Sequence, residues 1–329
     1  MVTNQQYNEH RVCVAPMMDW TDRHCRYFLR LVAPQAFLYT EMITTGALIH
    51  GDVERHLAFS KEEHPVGAQL GGSEPADLAH CAKLVESYGY DEVNLNIGCP
   101  SERVQRGAFG ACLMAEPELV ADCVRAMCEA VKIPVTVKQR TGLNATDDFS
   151  FMGKFVETVS KAGCRTFFVH ARNAVLKGLS PKENREVPPL KYDYVVRLKQ
   201  DFPALEIILN GGITKIEPFP GTDGVMLGRT AYHDPWVLAD PGKSRADVVK
   251  AMTKYASKQS SLRHVARHML GLYHGHRRAR LWRRMLSDAA RLSQNDPALL
   301  LEAMEAVEST KFPEMPDERR SQAEQVEVR

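Results

Sequence analysis

The chain has 329 residues, 44% of them hydrophobic and 25% charged, with a formal net charge of +1 at pH 7. Such a composition suits one large folded domain plus a small one, and it excludes a disordered or collagen-like polypeptide. No apolar run approaches the ~18 residues of a membrane span and no apolar signal core opens the chain, so a soluble cytoplasmic protein is expected.

In chain order, short apolar segments predict strands over 12–17, 37–40, 66–70, 92–96, 135–139, 166–170, 207–210 and 224–227. Amphipathic helical segments lie between most of them, over 75–88, 117–131, 149–162 and 192–201. Strands alternating with helices need crossovers and form a parallel sheet; eight such units over 1–242 predict an α/β fold, a (β/α)8 TIM barrel. The C-terminal strand ends carry Met17, Glu41, Gln69, Asn96, Lys138, His170, Asn210 and Arg229. Barrels of this kind build their sites on that face. Strands that simply end in water would explain some of these polar positions. They do not favour Lys, His, Asn and Gln with glycine beside several.

Beyond 242 the pattern becomes helical, with helices predicted over 245–257, 262–274, 279–289 and 297–308: a four-helix domain over 243–315, then a charged, flexible tail over 316–329. In the second helix Leu262, Val265, Ala266, Met269, Leu270 and Tyr273 form an apolar stripe, with Arg263, His264, Arg267 and His268 on the other face. From Arg263 to Arg284 there are seven arginines, four histidines and no acidic residue. A charge run is usually a solvated face, but one of single sign on two helices beside a barrel mouth points to nucleic-acid phosphate. The His264/His268 pair has helical metal-chelating spacing but no acidic or thiol partner, so no metal is expected.

Two constellations carry chemistry. The strand ending at Asn96 runs into Gly98-Cys99-Pro100 and a glycine-bearing loop that presents Cys112. A free cysteine is most often a small buried hydrophobe. The eight cysteines form no CxxC pair and suit reduced thiols rather than disulfides or zinc. Presented at a barrel mouth, however, a thiol is a proton donor to a bound ring. The second constellation is Asn210-Gly211-Gly212 closing strand seven and Gly228-Arg229 closing strand eight, the corner where barrels commonly bind phosphate. No GxGxxG follows a strand, which argues against a Rossmann dinucleotide site.

With these residues in place, the chain resembles the tRNA-dihydrouridine synthase family, and within it the DusA subfamily. The resemblance runs across essentially the whole chain: Ala15-Pro16-Met17-Met18-Asp19-Trp20-Thr21-Asp22, Gln69-Leu70-Gly71-Gly72, the segment 94–114, Lys138, His170-Ala171-Arg172, the segment 178–185, Asn210-Gly211-Gly212 and Gly228-Arg229. It implies an FMN-dependent oxidoreductase that reduces the C5–C6 bond of uridines at positions 20 and 20a in the tRNA D-loop, with NADPH as reductant. Hydride would pass from reduced FMN to C6 and a proton from Cys112 to C5. By the same resemblance Pro16, Met17 and Met18 would lie against the isoalloxazine, and Gln69, Lys138 and His170 would approach or hydrogen-bond it. Asn210, Gly211, Gly212, Gly228 and Arg229 would hold the FMN phosphate. Asn96 and Arg172 would position the target uracil, and Lys182, Arg185, Arg277 and Arg280 would contact tRNA. A monomer is the default expectation; nothing in the sequence specifies oligomeric state or a preference for NADPH over NADH.

Three rivals remain open at this point. A dihydroorotate-dehydrogenase-like FMN barrel would reduce or oxidise a small molecule and has no use for the arginine-rich helices. An aldolase-like barrel using Lys138 as a Schiff-base nucleophile would be colourless. A non-catalytic RNA-binding module would leave the thiol loop and phosphate corner without a purpose.

Overall fold

The structure, a computed structural model, describes residues 10–145 and 148–309. The predicted tail over 316–329 and the last residues of the predicted helical domain lie outside them. Eight parallel strands form the sheet: β1 (Val12–Val14), β2 (Leu38–Thr44), β3 (Val66–Gly71), β4 (Glu92–Ile97), β5 (Val135–Arg140), β6 (Thr166–His170), β7 (Glu206–Asn210) and β8 (Gly224–Leu227). Each pairs with its sequence neighbour from β2 to β8, and β8 pairs with β1. The last gap closes where Phe37 N donates to Val12 O and Val14 N donates to Phe37 O, both at 2.9 Å. The result is a TIM barrel.

Strand bounds shift for local reasons. β1 stops at Val14, short of the predicted 17, because Pro16 has no N–H to extend a ladder. β2 runs on to Thr44 and its register slips between Tyr39 and Met42, a bulge of the kind that re-aims side chains beside active sites. The helices Pro75–Ser87 and Pro117–Ala130 each open on a proline, which suits the first helical turn, where the N–H has no intrahelical partner. Their buried faces, with Leu78, Val85, Val120 and Val124, cover the outside of the barrel.

Inside the barrel, Cys13, Ala15, Phe37, Tyr39, Phe168, Ile208 and Met226 make a separate apolar cluster. Beneath it His10 donates to Glu92 and Glu206, each at 2.8 Å. A chain of side-chain hydrogen bonds climbs from this floor: Thr136 Oγ1 to Glu92 (2.6 Å), Asn94 Nδ2 to Thr136 Oγ1 (2.8 Å) and Gln69 Nε2 to Asn94 Oδ1 (2.8 Å). The interior thus carries a polar wall on β3–β5 and an apolar one opposite.

The C-terminal region is helical, but the four predicted helices become five among the described residues: Arg245–Ala256, Leu262–Ala266, Ala279–Met285, Ala289–Ser293 and Ala298–Glu308. The second ends at Ala266 and continues as turns, with Leu272 N donating to Met269 O and His274 N to Gly271 O. Its seat explains this. A Cβ at Gly271 would stand 2.5 Å from His233 O, so the chain presses its backbone onto the barrel there. The third predicted helix ends early, at Met285, and a further short one that the sequence reading did not include begins where Asp288 accepts the N–H groups of Ala290 and Arg291. His268 also corrects the sequence reading. It is 1% exposed rather than on the outer face, with Nε2 3.0 Å from Asp22 Oδ2 and Nδ1 3.2 Å from the Tyr232 hydroxyl. The break at Ala266 turns it inward, between the helical region and the start of the barrel helix Arg23–Val32 that Asp22 caps.

Candidate active site

At the mouth, the polar wall ends on Asn96. Its Nδ2 donates to Gln69 Oε1 (2.8 Å), and its Oδ1 accepts the N–H groups of Gly98 and Cys99 at 3.1 and 3.0 Å. The same side chain therefore fixes both Gln69 and the turn that begins the thiol loop. Cys99 O accepts from Ala111 N (2.9 Å), which ties the far end of the loop back to that turn. Cys112 lies in the short helical turn Gly110–Ala115, half-buried, with its thiol donating to Phe109 O at 3.2 Å. Burial pushes its thiol above the ordinary range, so the thiol stays protonated at neutral pH. Phe109 itself seats on β3, since a Cβ at Gly71 would meet its ring at 2.9 Å.

Next along the barrel comes a group of cations. Lys138 Nζ donates to Asn210 Oδ1 at 3.0 Å, and Asn210 Nδ2 donates to Met226 O at 2.7 Å. Burial, reinforced by the charge of Arg140, lowers the Lys138 pKa to about 7. His170 is driven well below its ordinary value by burial and by Arg140, Lys138, Arg172 and Arg185 in turn, and is therefore neutral. Its Nδ1 is buried with no hydrogen-bond partner. Beside it Gly211 (φ +103°) and Gly212 (φ +68°) turn in the left-handed region, and a Cβ at Gly211 would stand 3.2 Å from both His170 Nε2 and Ala171 N. A side chain at Gly211 would crowd the imidazole and would sit on a backbone conformation that L residues rarely adopt.

A family profile described as dihydrouridine synthase (Dus) matches residues 13–311. The chain belongs to the dihydrouridine synthase family. The tRNA-dihydrouridine(20/20a) synthase of Xanthomonas campestris pv. campestris is 55% identical over 296 residues, 85% of this chain and 88% of that protein. The proteins of the same name from Pseudomonas syringae pv. tomato and Salmonella typhi are 55% and 54% identical, over 89% and 91% of this chain and 92% and 95% of theirs. Among solved structures, a 2-naphthoyl-CoA reductase complexed with 2-naphthoyl-CoA superposes with a TM-score of 0.50 at 10% identity, over 69% of this chain. This chain spans about half (49%) of that structure, and the likeness is one of fold.

In this member of the dihydrouridine synthase family, the other residues singled out in the sequence fall as follows. Pro16 and Met17 are half-buried at the β1 end and Met18 is 56% exposed. Gly228 and Arg229 follow β8, and Arg229 Nη1 is paired with Glu186 Oε1 at 2.5 Å. Arg172 bonds Pro188 O. Lys182 and Arg185 are exposed on the long loop between β6 and the helix Tyr192–Asp201. Arg277 and Arg280 are exposed on the helical region, at and just before the helix Ala279–Met285. Among the described residues no group of three or more His, Cys, Asp or Glu side chains is placed to hold a metal, and no helix is long and apolar enough to cross a membrane.

Sequence reasoning missed three residues that shape the site. Arg140 is 5% exposed and bonds Gly98 O (3.2 Å), Asn173 O (3.3 Å) and Asn184 O (2.8 Å), joining the loops after β4 and β6. Asn184, fully buried, holds the β6 loop on itself through Val175, Leu179 and Ser180. Glu186 is the counter-charge of Arg229. The available signal for Arg140 was strand alternation: Thr136, Lys138 and Arg140 share one face of β5.

Proposed function

We propose that this chain is a tRNA-dihydrouridine synthase that reduces the C5–C6 bond of uridines at positions 20 and 20a of the D-loop, with FMN as cofactor and NADPH as reductant. The observation that carries the reading is the half-buried, protonated Cys112 thiol on a loop that Asn96 pins to the rim of the barrel mouth. The relatives named tRNA-dihydrouridine(20/20a) synthase, similar over most of their length, supply the substrate and positions.

The residues present fit a flavin mononucleotide. The orphaned, buried His170 Nδ1 offers a polar contact to a heteroaromatic ring, and the exposed Gly212, on its left-handed turn, has no side chain to keep a phosphate from the backbone. Arg140 and Arg172 make the mouth cationic at neutral pH, and Lys138, with its pKa lowered to about 7, can gain a charge when an anionic cofactor binds. In this reading Pro16, Met17 and Met18 flank the isoalloxazine, and Gln69, Lys138 and His170 face its polar edge. Asn210, Gly211, Gly212, Gly228 and Arg229 hold the phosphate. When bound and reduced, the flavin supplies the hydride for uracil C6.

The chain's own part is to hold the base and deliver the proton. A uridine in folded RNA is extruded into the mouth. Asn96 and Arg172 orient its uracil, and the Cys112 thiol gives its proton to C5, becoming a thiolate that solvent reprotonates. Lys182, Arg185, Arg277 and Arg280 meet tRNA phosphates. We divide the protein into a catalytic barrel over 1–242, a tRNA-binding helical region over 243–315 and a tail over 316–329, acting as a monomer in the cytoplasm.

Nucleoside mass spectrometry of tRNA lacking dihydrouridine, incubated with the FMN-loaded protein and NADPH, tests this. A gain of two hydrogens on D-loop uridines is expected. No gain from yellow protein that oxidises NADPH would instead assign the site to a small-molecule reductase.

A further inference from the structure

The large hydrophobic side chains exposed among the described residues are Met18 (56%), Val187 (63%) and Leu190 (37%). All three lie on loops that leave the C-terminal ends of barrel strands, Met18 after β1 and the other two after β6. Solvent exposure of large apolar groups is ordinary when scattered and informative when gathered at a site. Here it is gathered at the mouth.

The segment Val187-Pro188-Pro189-Leu190 is also held rigidly. Glu186, just before it, is paired with Arg229, and Pro188 O accepts from Arg172. Val187 N donates to Glu183 O at 2.8 Å, and Lys191 N to Ala171 O at 2.8 Å. The Leu190 side chain lies over the Gly211–Gly212 turn by its methyl ends, where a Cβ at Gly212 would stand 3.0 Å from Cδ1, and remains 37% exposed. Two consecutive prolines restrict the backbone further. The outcome is a stiff apolar crest, with Val187 the most exposed, flanked by the cations Lys182 and Arg185 and by the ion pair of Arg229 with Glu186.

We infer that this crest takes the place of the extruded uridine, with Val187 and Leu190 packing against the bases that flank it in tRNA. The inference rests on the reading of the site given above. Pulling a base out of its stack leaves apolar base faces in water, and proteins that distort nucleic acids commonly insert aliphatic wedges at such gaps. The cations at its base match the phosphates on either side of that gap. A rigid crest contributes without the entropic cost of ordering a mobile loop.

The test uses full-length FMN-loaded protein and a tRNA transcript carrying 2-aminopurine at the nucleotide after the target uridine. The variants are Val187→Ser and Val187→Ile, both at an exposed position. Wild type is expected to change the 2-aminopurine fluorescence on binding. Val187→Ser should lose most of that change and lower kcat/KM for tRNA about tenfold, with NADPH oxidation by the flavin unaltered and Val187→Ile near wild type. Equal fluorescence and equal kcat/KM for Val187→Ser and wild type would overturn the inference while leaving the enzyme reading intact. Concentration-dependent self-association abolished by Val187→Ser would overturn it in favour of a second copy of this chain. Failure of wild type to form any dihydrouridine would overturn the site reading itself, and this inference with it.

Discussion

Asn96 and Gln69 share a 2.8 Å hydrogen bond across neighbouring strands, and the oxygen left on the Asn96 amide caps the turn that leads to Cys112. One amide thus sets the polar edge of the mouth and the entrance of the thiol loop together. Asn96→Ala leaves Gln69 Oε1 and two backbone N–H groups without these partners, a stability loss of about 1–3 kcal/mol. The expected functional result is a larger fall in turnover on tRNA than in NADPH-driven flavin reduction. Thermal unfolding and the two half-reactions, measured side by side, check both parts.

Cys112→Ala should retain bound FMN and its reduction by NADPH while tRNA reduction falls by ~10²–10⁴, the usual contribution of a positioned general acid. Because burial raises the thiol pKa above its ordinary value, the protonated form persists through neutral pH. The tRNA half-reaction should therefore be flat there and fall on the alkaline side. Rapid-mixing rates against pH read this directly. Equal loss of both half-reactions would contradict the assigned role.

Where hydrophobic period and turn chemistry agreed, the sequence was readable. β6 and β8 fall at the predicted bounds, and among the side chains marked at the strand ends Gln69 bonds Asn96 and Lys138 bonds Asn210. What escaped reading depends on contacts between residues distant in sequence. The helical pattern over 262–274 looked continuous, but docking of Gly271 on His233 converts it to turns and carries His268 inside to Asp22. Arg140 lies one residue past the predicted strand end at 139 and drew no reading, because the loops it joins meet only in the folded chain. The pairing of Arg229 with Glu186 spans forty-three residues and leaves no local signature.

Lys138 predicts a pH dependence of cofactor binding. Its pKa is lowered from 10.5 to about 7 by burial and then by Arg140. Between pH 7 and 10.5 the amine is neutral when folded but protonated when unfolded, so this group makes the cofactor-free protein more stable as pH rises through that window. An anionic ligand favours the ammonium form, so FMN binding takes up a proton there and its affinity falls above about pH 7. Fluorescence titration of FMN into the stripped protein should show that fall. Lys138→Met should bind roughly tenfold more weakly, with a flatter profile.

Arg277 and Arg280 are exposed and belong to a stretch without acidic residues. If both meet phosphate, the double alanine variant should reduce the slope of log affinity for tRNA against log salt by roughly 1.5. The rate of flavin reduction by NADPH should not change. An unchanged slope in a binding assay across salt concentrations would remove these two residues from the tRNA surface.

The barrel floor makes the last prediction. Burial alone would lower the pKa of His10, but its hydrogen bonds to Glu206 and Glu92, together with their charges, raise it from 6.5 to about 10. Both ring nitrogens donate, so the imidazolium ties β4 to β7 through two carboxylates beneath the apolar cluster. A raised folded-state pKa means that the stabilisation is fully present below pH 6.5 and is lost as pH climbs to about 10. Glu206, held low chiefly against its own burial by the hydrogen bond from His10, loses its contribution only in the acid range and does not mask that window. Wild type should therefore lose more thermal stability between pH 6.5 and 10 than His10→Gln does. His10→Ala should cost about 3 kcal/mol near neutral pH, because it strands the buried Glu92 and the part-buried Glu206 without their cation. Urea unfolding of both variants across that pH range measures the difference, and parallel curves for wild type and His10→Gln would mean that the floor is held by packing rather than by charge.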